Sequence, residues 1–133
     1  MILNSIFGNS VKILQTCLNG YKARNRAISS NIANAEVKNY RKISVGFENN
    51  LKKAINEKSS DITQTNPAHL SKNSEINEEM ISVEKSKFSN VGEHKISLDE
   101  EMVNLVNNQI NYQTSAKVLN KMFGILRTAI KGR

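Results

Sequence analysis

Apolar residues recur along two stretches of the chain with alternating steps of three and four. Near the C-terminus they are Leu98, Met102, Leu105, Gln109, Tyr112, Ala116, Leu119, Phe123, Leu126 and Ile130. Near the N-terminus they are Val11, Leu14, Leu18, Tyr21, Asn25, Ile28, Ile32 and Ala35. Such spacing places one side chain per turn on a common face, the pattern of a heptad helix. The sequence therefore predicts a mainly α protein: a heptad helix in residues 1–35, another in 97–133, and a middle segment, 36–96, between them. Each seam holds one polar member, Asn25 and Gln109, a device that fixes register at some cost in stability. Because a hairpin-like chain brings its ends together, the two helices are expected to pair as an antiparallel coiled coil and to form one domain. Val106, Ile110, Val118, Met122 and Ile125 widen the second seam beyond a two-stranded stripe, so the C-terminal helix calls for more than one neighbour.

Local signals agree with this periodicity. Ser97-Leu-Asp-Glu100 is a capping box, in which the Ser97 hydroxyl can accept from the amide of residue 100. Asp99, Glu100 and Glu101 load the positive end of the helix dipole, and Arg127, Lys131 and Arg133 the negative end. At 1.5 Å per residue this helix is roughly 50 Å long, too long for a small chain to cover by itself. Asn9 or Ser10 serves as the N-cap expected for the first helix. In the middle segment Ile43, Val45 and Phe47 alternate as a strand does, and Phe47 to Ile55 can form a helical turn or two. Asn56 to Gly92 is polar, with few residues to bury, and reads as a partly disordered or β-hairpin insert.

Composition narrows the function. The chain has 133 residues, no Trp, one Pro and a net charge of +7. Residues 1–60 carry ten Lys or Arg against three Glu, while residues 61–133 carry nine of each sign, so the excess is N-terminal. A basic excess suits phosphates, and a small basic coiled-coil protein binding nucleic acid or an anionic membrane is the competing class. Lys22, Arg24 and Arg26, with Lys38, Arg41 and Lys42, have only Tyr40 as a stacking platform, so nucleic acid is not the expected partner. A lone cysteine, Cys17, allows no internal disulfide and no Cys-based metal site. His69 and His94 have no metal-ligand spacing, and the acidic trio at 99–101 is explained by the helix dipole. No catalytic, cofactor-binding or metal residues are assigned. No apolar run approaches membrane-spanning length, and the N-terminus lacks a cleaved signal pattern.

Two stretches resemble a known family. Ile28-Ser-Ser-Asn-Ile-Ala-Asn-Ala35, with Tyr40-Arg41 beyond it, is similar to the N-terminal signature of flagellar rod and hook proteins, carried here by Asn31, Ile32, Ala33, Asn34, Ala35 and Tyr40. Leu98-Asp-Glu-Glu-Met102, Asn108-Gln109, Tyr112-Gln113 and Met122-Phe-Gly-Ile-Leu-Arg-Thr-Ala-Ile-Lys-Gly132 resemble the ending of the family's proximal rod members, and Asn66-Pro-Ala-His-Leu70 a short Pro-x-His segment in them. The departure is Glu36-Val-Lys-Asn39, which replaces a Thr-Pro-Gly turn and leaves Asn39 as the αL candidate.

The resemblance implies a non-enzymatic subunit exported without a cleaved signal peptide and built into the periplasmic rod of the basal body, where it transmits torque and lines the export channel. The implied partners are copies of itself, other rod proteins, proteins of the membrane-ring junction and, during secretion, the flagellar export apparatus. On this reading Leu14, Leu18, Tyr21, Asn25, Ile28, Ile32, Leu105, Gln109, Tyr112, Leu119, Phe123, Leu126 and Ile130 form the assembly interface.

Overall fold

The computed structural model describes residues 2–59, 80–85 and 96–132. Their order is α1 (Ile2–Ala33), β1 (Ile43–Gly46), α2 (Glu48–Ser59), β2 (Ser82–Lys85) and α3 (Leu98–Lys131). The protein is mainly helical, with one short antiparallel strand pair in the middle, as the sequence led one to expect. Helix α1 begins at Ile2, ahead of the expected cap at Asn9 or Ser10. Nothing in residues 2–8 breaks a helix by removing an amide or clashing with a preceding turn, so the helix continues through the polar pair. Pro67, His69 and His94 lie outside the described residues.

Helix α1 is the centre of the fold, and α2 docks on one side of it. Leu51 and Ala54 of α2 are buried and pack with Ile13 and Cys17 of α1 and with Met80 just before β2. Phe47, immediately before α2, is nearly inaccessible. Its ring meets Tyr21 edge to face, with centroids 5.0 Å apart. It lies against Gly20, where an added Cβ would stand 2.5 Å from the ring. The missing side chain at Gly20 is thus what lets the ring reach α1.

Strand β1 pairs with β2 in the register Ile43 with Lys85, Ser44 with Glu84, Val45 with Val83 and Gly46 with Ser82. The alternation seen in the sequence is real: Val45 and Phe47 are buried while Ser44 and Gly46 are exposed. Between α1 and β1 the chain descends through successive turns, Ala35 N–H to Ile32 C=O at 3.3 Å, Val37 to Asn34 at 3.0 Å and Tyr40 to Val37 at 3.2 Å. Asn39 adopts φ 62, the left-handed conformation that an Asn tolerates better than most residues with a side chain.

Helix α3 lies on the other side of α1. Ser97 caps it, its hydroxyl accepting from the amide of Glu100 at 3.3 Å. Gly132 ends it in the left-handed conformation, its N–H donating to Thr128 C=O at 3.1 Å. Asn31 of α1 meets Glu101 of α3, and Tyr21 meets Asn108, so the numbering falls along one helix as it rises along the other.

Candidate assembly interface

The family-like segment at the end of α1 forms a polar lock that joins three elements. Asn31, 1% exposed, is its centre. Its Oδ1 accepts from Ile43 N–H at 2.9 Å and its Nδ2 donates to Ile43 C=O at 2.9 Å, so one side-chain amide pairs with β1 as a neighbouring strand would. Nδ2 also donates to Glu101 Oε2 at 3.0 Å, and Tyr40 Oη donates to Oδ1 at 3.2 Å. Tyr40 and Ser30 hydroxyls are 3.0 Å apart, and Asn34 Nδ2 donates to Ser30 C=O at 2.7 Å, satisfying a carbonyl at the helix end. Of the other motif residues, Ile32 and Ala35 are half-buried and Ala33 is exposed.

Glu101 is also 1% exposed. A buried carboxylate is costly unless paired, and Lys42 Nζ lies 2.8 Å from Oε1 and 3.3 Å from the neighbouring Glu100. Burial alone would raise the Glu101 carboxyl, but the Lys42 ammonium and the Asn31 amide outweigh it and hold it below the ordinary carboxylate value. Hydrogen bonding to Glu101 in turn raises Lys42.

A second cluster forms around Arg24. Both of its terminal nitrogens reach the Glu48 carboxylate at 2.6 Å, and Nε and Nη2 donate to Val45 C=O at 3.1 and 2.9 Å. Its guanidinium centre is 5.0 Å from the Phe47 ring and 6.0 Å from that of Tyr21, a cation over aromatic faces. Burial would raise Glu48, but Arg24 holds it low. Arg24 entered the sequence reading only as a possible phosphate ligand. Its real partner is 24 positions away on another element, and no spacing rule marks such a pair.

The expected interface residues divide into two groups. Ile28 is buried, and Leu14, Leu18, Tyr21, Asn25, Ile32, Leu105, Leu119 and Leu126 are half-buried. Gln109, Tyr112, Phe123 and Ile130 are exposed, Ile130 at 84%. The buried polar residue of α3 is Asn108 rather than Gln109. Its Nδ2 donates to Tyr21 C=O at 2.9 Å, and its Oδ1 has no hydrogen-bond partner among the described residues. Glu101, Asn108, Leu119 and Leu126 thus mark the face turned to α1, rotated slightly from the heptad seam. On the opposite face Val103, Val106 and Ile110 are exposed. Among the described residues there is no cluster of metal-binding side chains, and no helix is long and apolar enough to cross a membrane.

These surfaces accompany a consistent set of relatives. Residues 94–131, which include the whole of α3, match the family described as flagellar basal body rod FlgEFG protein C-terminal. The flagellar basal body rod protein FlgB of Bacillus subtilis is 28% identical over 131 residues, covering 96% of this chain and 98% of the relative. FlgB of Buchnera aphidicola from Acyrthosiphon pisum is 28% identical across 98% of this chain and 97% of its own length. FlgB of Borreliella burgdorferi is 29% identical, covering 94% and 98% respectively. No solved structure matches the chain. With α3 matching the rod family and nearly the whole chain aligned with several relatives, the chain is similar over almost its full length to FlgB-type flagellar basal body rod proteins.

Proposed function

We propose that this chain is a structural subunit of the flagellar rod, and that α3 is its principal assembly surface. The observation that carries the reading is the alignment over nearly the whole length with proteins named for that rod. The exposed apolar residues of α3 fit it physically. Val103, Val106, Ile110, Val118, Ile125 and Ile130 are left in water by the single chain, and surfaces of this kind mark contacts with other proteins. In this reading α1 and α3 complete an antiparallel coiled-coil unit from residues 1–35 and 97–133. Neighbouring copies, other rod proteins and proteins of the membrane-ring junction cover its outer faces, and the chain reaches the rod through the export apparatus without a cleaved signal. The role is mechanical, passing torque and lining a channel, and calls for no catalysis.

Two of the basic residues that suggested nucleic acid or an anionic membrane are engaged inside the fold, Arg24 with Glu48 and Lys42 with Glu100 and Glu101. That weakens the competing class. The test is removal of the chain from a flagellated cell that makes it: rods should be missing and motility lost, and both should return with the intact gene. Complete rods in its absence would reject the reading.

A further inference from the structure

Gly20 is fixed by the fold, and it brings a labile bond with it. Any Cβ there would stand 2.5 to 2.7 Å from three carbons of the Phe47 ring, well inside the separation at which carbons pack. The residue before it is Asn19, exposed on the outer stripe of α1, and Asn19-Gly20 is the chain's one Asn-Gly pair. An asparagine followed by glycine is chemically weak because the glycine nitrogen, with no side chain beside it, can approach the asparagine side chain. That nitrogen, once its proton leaves, adds to Asn19 Cγ; ammonia departs and a five-membered succinimide remains. Water then opens the ring at either carbonyl. One opening leaves an aspartate at position 19. The other leaves an isoaspartate, in which the main chain runs through the former side chain and is longer by one carbon.

Helix α1 blocks the first step twice. Residue 20 lies well inside Ile2–Ala33, so its amide is committed to the helical ladder rather than available as a nucleophile. Ring closure also needs Cβ of Asn19 and the Gly20 nitrogen nearly eclipsed about the Cα–C bond, about 80° of rotation away from the helical ψ. In an unfolded chain neither restraint exists. We infer that Asn19 is a deamidation site open only in the unfolded chain, so that this bond acts as a clock on the interval before folding. The clock matters because of where it sits. An isoaspartate at 19 inserts a carbon into α1 at the turn that carries Gly20, Tyr21 and Arg24, so the Phe47 ring and the Glu48 carboxylate no longer meet their partners in register. Chains that stay unfolded too long thereby lose the ability to build the contact between α1 and α2.

The test follows the intact chain by peptide mass spectrometry in water enriched in heavy oxygen, which marks each newly opened ring. In urea at mildly alkaline pH, Asn19 should convert while Asn25, Asn34 and Asn108, which precede Arg26, Ala35 and Gln109, lag by about tenfold or more. In buffer without urea, where the reaction proceeds only through the opened chain, Asn19 should convert about tenfold or more slowly than in urea. Gly20→Ala should slow the reaction in urea several-fold by placing a methyl beside the attacking nitrogen. When the urea is then diluted out, the helicity recovered by the parent chain should fall in step with its isoaspartyl content, and Asn19→Gln should refold in full after the same wait. Equal rates with and without urea, an Asn19 no faster than the other three, or isoaspartyl chains that regain the parent's urea midpoint would overturn the inference.

Discussion

Helices α1 and α3 are nearly equal in length and opposite in how they use their side chains. On α1 the exposed stripe runs Lys12, Gln15, Asn19, Lys22, Arg26 and Ser29, all polar, and the rest of residues 9–32 is buried or half-buried between α2, the strands and α3. On α3 two of the residues turned to the protein are polar and fully buried, Glu101 and Asn108, while valines and isoleucines face outward. The first is, over residues 9–32, the surface of a helix whose apolar side chains are covered by its own chain. The second is that of a helix only half partnered, because burying each of those aliphatic side chains would contribute about 1.5–3 kcal/mol that the single chain forgoes. Amphipathicity therefore locates the core for α1 and the neighbours for α3.

The largest effect should come from placing a charge on the inner side of this divide. Ile28→Asp puts an unpaired carboxylate into a buried site and should cost about 4 kcal/mol or more, enough to abolish the cooperative urea transition seen by circular dichroism. A variant that keeps its transition within 1 kcal/mol of the parent would mean that α1 is not the core helix. Asn31→Ala should follow at about 2–4 kcal/mol, since it strands the Ile43 amide and carbonyl and takes a donor from buried Glu101. Amide exchange at residues 43–46 should quicken along with the lowered urea midpoint. Asn31→Asp, which puts a second carboxylate against Glu101, should be no better than alanine. Gly20→Ala drives a methyl into the Phe47 ring and should cost about 1–3 kcal/mol, read from the same midpoint.

Acid should act on the same inner contacts. Glu101 and Glu48 sit below their ordinary values in the folded chain, so their stabilisation is complete above the unfolded carboxylate value of about 4.3 and is lost as pH falls through the lower folded values. The urea midpoint should decline below about pH 4.5, and Glu101→Gln should flatten that decline while lowering the plateau at neutral pH. A parent curve as flat as the variant's would mean that the Lys42 contact contributes nothing. The smallest effect on the free subunit should come from Val106→Asp, within about 0.5 kcal/mol because the site is already in water. The same change should remove the chain from purified basal bodies, and rods that carry it normally would place the outer face of α3 away from any neighbour.

Features that depend on neighbours in the sequence could be read directly. Ser97 caps α3 because the hydroxyl and the amide it accepts from are three residues apart, and Asn39 takes the left-handed turn because few other side chains tolerate it. The strand at Ile43 to Gly46 followed from alternation. What could not be read depends on pairs far apart in the chain. The seam of α3 pointed to Gln109 as its inward polar residue, but Asn108 holds that place, since one residue shifts a helix face by 100° and apolar residues border the seam on both sides. Asn31 was visible as a motif residue but not as the stand-in for a strand, because its partners, Ile43 and Glu101, lie 12 and 70 positions away.

The two polar ties between α1 and α3 have a mechanical consequence. Glu101 and Asn108 are one heptad apart, roughly 10 Å along the axis, and each grips a directional partner on α1. Apolar side chains in contact can slide past one another at small cost, since their attraction has no preferred direction. A hydrogen bond loses most of its strength within an ångström of displacement or a few tens of degrees of tilt. Two such bonds spaced along the junction work as pins in a lap joint: they add little to the strength with which the helices adhere and a great deal to the stiffness with which they resist shear. If the chain serves the mechanical role proposed for it, those pins contribute more to that role than another pair of leucines would.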